Sequence, residues 1–109
     1  MSFGSIVRAS FGAVLLVNAI PHVVRGVQGD PFPTPFADPP GEGDSSPVVN
    51  VAWGAANAVG GGLLLRGALR SRGGKVAAGI AATLFALGIA YNFGEVRAGR
   101  GGIRGRLGR

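Results

Sequence analysis

The sequence predicts an all-α fold: an integral membrane bundle of three transmembrane helices, with a Pro-rich connector between helices 1 and 2. Three observations predict it. Residues 9–24, 48–65 and 76–93 contain no Asp, Glu, Lys or Arg. Charged residues are 15% of the 109, well below the roughly one quarter usual in a soluble domain. None of the three apolar stretches carries the polar stripe that a water-facing helix needs. A chain of this length holds one domain, and the expected layout is a helical domain over residues 1–95 followed by a basic Gly/Arg tail over 96–109.

Helix one is expected over about residues 5–25. A span needs roughly 17–25 residues, which this stretch supplies if Arg8 extends its guanidinium toward the headgroups. The small residues in "VNA", 17–19, are acceptable to a signal peptidase. The apolar run continues past them through Pro21 and His22 to Val24, which favours a retained span. The connector, 26–47, follows. Pro31, Pro33, Pro35, Pro39 and Pro40 forbid helix there, so the segment is extended or turned.

Ser45 or Ser46 then offers an N-cap with Pro47 at the first helical position, opening helix two over about 48–66. Its glycine triplet, 60–62, would break a helix in water but in lipid permits close helix contact. A basic loop leads to helix three, about 75–94, where Ala78, Ala82, Ala86 and Ala90 form a small-residue ridge suited to packing. The tail, "GEVRAGRGGIRGRLGR", reads as low-complexity and disordered. Its Arg97, Arg100, Arg104 and Arg106 are candidates for lipid headgroup contact. Arg/Gly runs also track nucleic acid, but the tail lacks interleaved aromatics and adjoins a span, so no nucleic acid partner is expected.

With three spans, the connector and tail share one side of the membrane, and the N-terminus and the 66–75 loop share the other. Arg8, Arg66, Arg70, Arg72 and Lys75 on the loop side balance Arg25, Arg97, Arg100, Arg104, Arg106 and Arg109 on the connector side. The positive-inside rule therefore leaves orientation open. Putting the loop inside, with the acidic connector outside, is slightly preferred. Arg outnumbers Lys ten to one, which with so much Gly and Ala suggests a GC-rich bacterial genome and hence a bacterial inner membrane.

The polar groups are the informative part. All the asparagines and the single His fall on the helices: Asn18 and His22 on helix one, Asn50 and Asn57 on helix two, Asn92 on helix three. All lie toward the connector side, with Arg25 and Glu95 just beyond. Asn18, His22 and Arg25 share one helical stripe; Asn50, Trp53 and Asn57 share another; Gly88, Asn92 and Glu95 a third. An amide left unpaired in lipid costs several kcal/mol, so the stripes are expected to face one another in a polar cup. Pro21 would free the carbonyl of Val17 for a partner inside it. Phe32 and Phe36 on the connector would cover its mouth, and Arg25 would pair with Glu95. An apolar plug would close the loop side.

His22 is the group suited to titration near neutral pH, yet a hydrogen-bonded packing role is the expected one. A lone His without nearby carboxylates lacks a metal ligand set, and no metal or other cofactor is expected. The chain has no Cys. No nucleophile–base set, paired intramembrane carboxylates or nucleotide fingerprint is present, so the protein is not expected to be an enzyme.

The run over residues 21–57, "PH…FPTPFADPPGEGDSSPVVNVAWGAAN", resembles a group of small bacterial integral membrane proteins. They share a His-bearing first helix, an "FPTPFA" connector and an "SSPxxNxxWGxxN" second helix. No activity is established for the group, so the resemblance implies a location and draws attention to the cup residues, without a mechanism. The expected role is interaction, as a homo-oligomer or accessory subunit with the cup as a ligand or partner site. Competing readings are a holin-like permeabilising protein and a small oligomeric transporter in which His22 titrates.

Overall fold

The computed structural model describes residues 2–107, apart from the side chains of residues 104–106. Three long helices dominate: α1 (Phe3–Val27), α2 (Pro47–Leu65) and α3 (Arg72–Arg97). All three are long and apolar enough to cross a membrane. Each begins on a serine whose Oγ accepts a first-turn N–H: Ser2 from Ser5, Ser46 from Val49 and Ser71 from Gly74. The Ser71 cap explains why α3 starts before the expected residue 75. α1 and α3 end alike. At Gly29 and Gly99 the chain turns left-handed (φ 78° and 80°), and the next N–H bonds back to a carbonyl of the last turn, Asp30 to Arg25 and Arg100 to Glu95. This is the glycine-terminated helix end.

α1 lies in the middle, antiparallel to α2 on one flank and parallel to α3 on the other, while α2 and α3 barely meet. The molecule measures 43 × 31 × 18 Å. Because α2 and α3 pack on α1 and scarcely on each other, the helices form an open layer rather than a closed bundle.

The α1–α2 seam is built on small residues. Gly12, Ala19 and Gly26 of α1 oppose Gly61, Gly54 and Pro47 of α2 at matching seven-residue intervals. A Cβ on Gly54 would stand 2.5 Å from Val23 Cγ2, and one on Gly61 would stand 2.7 Å from the carbonyl oxygen of Gly12. Both are inside contact distance, so only glycine lets the backbones meet here. Of the triplet read as a contact surface, Gly61 alone is pressed this closely; Gly62 faces open space. The alanine ridge of α3 is half-buried at Ala78 and Ala82 and exposed at Ala86 and Ala90.

The connector folds back against the helices. Phe32–Pro33 (β1) pairs antiparallel with Asp44–Ser45 (β2), Phe32 opposite Ser45 and Pro33 opposite Asp44. At the other end Arg8 donates from Nη2 to the carbonyl of Arg66, at 3.0 Å, a cation placed on the last carbonyls of α2. The loop holds a short 3-10 turn, Ala68–Arg70. The tail, expected to be disordered, forms a short helix α4 (Gly102–Leu107).

Candidate functional site

Asn50 organises the connector end. One turn into α2, its amide Nδ2 donates to the carbonyls of Phe32 (3.0 Å), Ser45 (3.1 Å) and Ser46 (3.1 Å). Its Oδ1 lies 2.6 Å from His22 Nδ1. With Nδ2 committed to three carbonyls, Oδ1 is the acceptor, so His22 donates from Nδ1 and a neutral ring keeps its lone pair on Nε2. Asn50 is 0% and His22 1% exposed. One amide therefore fastens both connector strands and α1 to the start of α2.

A second amide pair lies deeper. Asn18 Nδ2 donates to Asn57 Oδ1 at 3.1 Å, and Asn57 Nδ2 donates to the Trp53 carbonyl at 2.8 Å. The α1 and α2 stripes thus meet side chain to side chain. Aromatic rings close the cluster. Phe32 and Trp53 both stand edge-on to the His22 ring, at 5.4 and 6.5 Å between centroids. Phe36 stands edge-on to Trp53 at 5.3 Å, and Phe32 leans on Phe93 of α3 at 4.6 Å. Of the two connector aromatics, Phe36 is an exposed cover, whereas Phe32 is buried to 4% and wedges between α1 and α3.

Beside this cluster lies an open concavity of about 330 Å³ lined by Asn18, His22, Pro33, Thr34, Pro35, Pro40, Gly41, Asn92 and Phe93. A mostly apolar lining with a few convergent polar groups, at this volume, is the ordinary build of a small-molecule site. Trp53 Nε1, in a ring against His22, is buried without a hydrogen-bond partner. Such an orphaned donor costs about 1–3 kcal/mol.

The stripe on α3 behaves differently from expectation. Asn92 borders the cavity, but its Oδ1 accepts the N–H of Ile103 at 2.9 Å. Glu95 accepts two hydrogen bonds from Arg100, at 2.7 and 2.9 Å. That carboxylate raises the Arg100 pKa above its ordinary value, mainly through the hydrogen bond. The expected Arg25–Glu95 pair does not form; Arg25 instead meets Asp30 at 3.5 Å. The physical reason is the tail. Turning back at Gly99, it brings its own backbone and guanidinium to the groups that the open layer keeps away from α2.

Pro21 and Val17 line a groove between α1 and α3 and not the cavity. Arg97 is exposed, Arg100 is engaged by Glu95, and the expected headgroup contacts of Arg104 and Arg106 fall on side chains outside those described. Two contributors escaped the sequence reading. Thr34, 1% exposed, has its Oγ1 2.6 Å from Ser45 Oγ across the strand pair, and Phe93 joins the connector to α3. The only signal for Thr34 was a hydroxyl residue between prolines; Phe93 was read as part of an apolar run.

The geometry defines a three-helix protein with helices long and apolar enough to span a membrane, and with a mostly apolar concavity, edged by His22, Asn18 and Asn92, under the connector at one end. No family model, curated protein or solved structure matches the chain.

Proposed function

We propose that the protein is a small integral membrane protein of the bacterial inner membrane that acts by interaction, as a homo-oligomer or accessory subunit, and that its capped cavity is the ligand or partner site. The observation that carries this reading is the 330 Å³ cavity walled by buried His22 and by Asn18, beside the unpartnered indole N–H of Trp53. A neutral His22 offers an acceptor, and the amides of Asn18 and Asn92, which line the site with it, offer N–H donors. A small molecule with one group of each kind, on an otherwise apolar body, suits the site.

Association is supported by α3, whose membrane-spanning window has 0% of its residues buried. Helices this poorly covered gain packing from neighbours in a bilayer through exposed small residues such as Gly79, which faces open space. The resemblance over residues 21–57 supports the bacterial setting. A holin-like pore or a carrier with His22 titrating needs a polar route through the loop half. The hydroxyls there, Ser10 and Thr83, bond back to their own helices at Ile6 and Gly79, so these readings have less support.

Native mass spectrometry of protein gently released from membranes tests the proposal. The expected result is a self-associated or partner-bound species carrying a small co-purifying molecule that Asn18→Leu removes. A strict monomer at every concentration, with no bound molecule, contradicts it.

A further inference from the structure

A second concavity, of about 540 Å³, lies between α1 and α3 and is distinct in lining and chemistry from the capped cavity. Val17, Ile20, Val24, Ala86, Ile89 and Ala90 form its apolar sides, and Phe32 and Phe93 close it off toward the connector. Two guanidiniums line it as well, Arg25 from the last turn of α1 and Arg97 from the last turn of α3. No carboxylate lines it, though Arg97 also borders an adjoining hollow that it shares with Glu42 and Asp44. Arg97 makes no ion pair among the described residues, and Arg25 has only a loose, half-exposed contact with Asp30.

The groove exists because Phe32 inserts between the ends of α1 and α3. From Val17 to Arg25 it runs about 12 Å along α1, within the depth a phospholipid occupies below its headgroup. An apolar trough ending in two cations at the membrane face has the chemistry of one amphiphile. The geometry points to an anionic phospholipid bound here, its phosphate between Arg25 and Arg97 and the upper part of one acyl chain along Ile20, Val24, Ile89 and Ala90. Basic pockets between spanning helices bind anionic headgroups in this way. A second copy of the chain is the less complementary occupant. Its corresponding face carries the same two arginines on a chain of net charge +6, so a symmetric contact sets like charges together.

The test is native mass spectrometry of the full chain titrated with phosphatidylglycerol or phosphatidylcholine of identical acyl chains. The expected result is one tightly bound phosphatidylglycerol per chain, preferred roughly tenfold over phosphatidylcholine, as two cations beside an anionic headgroup imply. Arg25→Gln with Arg97→Gln abolishes the preference. Arg66→Gln with Arg70→Gln, an equal loss of charge at the other membrane face, keeps it. Unchanged preference in the first pair, equal loss in the second, or a lipid-free dimer shielding Arg97 overturns the assignment. Because the capped cavity is untouched by these variants, a co-purifying molecule lost with Asn18→Leu reports on that site alone.

Discussion

At Asn50 a single buried amide satisfies three connector carbonyls and orients the only imidazole in the chain. Replacing it, as Asn50→Leu, removes these side-chain bonds and strands the His22 N–H, while the Ser46 carbonyl keeps the backbone N–H of residue 50. The expected loss is about 2–4 kcal/mol, read as a lowered unfolding midpoint in mild detergent with Trp53 fluorescence as the probe. Asn57→Leu removes one interhelical bond and is expected to cost about 1 kcal/mol. In ¹⁵N spectra of the bilayer-embedded protein, His22 is expected to carry its proton on Nδ1; a ring protonated on Nε2 alone would contradict the bond to Asn50. The sequence marks Asn18, His22, Asn50 and Asn57 as polar groups in apolar helices that must find partners. It does not say which. Asn50's partners are carbonyls of the connector, and main-chain acceptors leave no trace in residue type. Glu95 and Asn92 were assigned to the wrong neighbours because their partners lie in a Gly/Arg stretch whose composition suggests disorder.

Among the elements, the α1–α2 seam rests on backbone proximity at Gly12, Gly26, Gly54 and Gly61. Gly61→Ala, with a carbonyl 2.7 Å from its new methyl, is expected to destabilise by about 1–3 kcal/mol. Gly62→Ala, one residue on and facing open space, is expected to leave the unfolding midpoint unchanged or slightly raised. Equal effects at the two positions would mean the seam is misplaced. The helices themselves are legible to within a few residues from their charge-free length and, for α2, from the serine cap and Pro47; the caps at Ser2 and Ser71 are not. The seam itself is not anticipated: the triplet at 60–62 and the alanines of α3 are the more conspicuous pattern, and they draw the reading away from Gly12, Gly26 and Gly54. The pairing of β1 with β2 was hidden, because a proline-rich strand of two residues has no periodicity to detect.

On the scale of the whole molecule, the open arrangement separates two chemistries along the membrane normal. The connector end gathers the amides, the imidazole, the ion pairs and both concavities. The loop half is apolar, with Leu63, Ile80 and Leu84 each more than half exposed. Proteoliposomes are accordingly expected to show no proton flux that His22→Ala or Asn57→Leu alters; a flux abolished by either would favour a carrier. The central claim is that three spans place this polar end, with both connector and tail, at one membrane face. Cysteine labelling in sealed vesicles tests it most directly, since the chain has no native Cys. Single cysteines at Ala37 and Gly99 should react with an impermeant maleimide from one side, and one at Leu69 only from the other. Reaction of Ala37→Cys and Gly99→Cys from opposite sides would contradict the account.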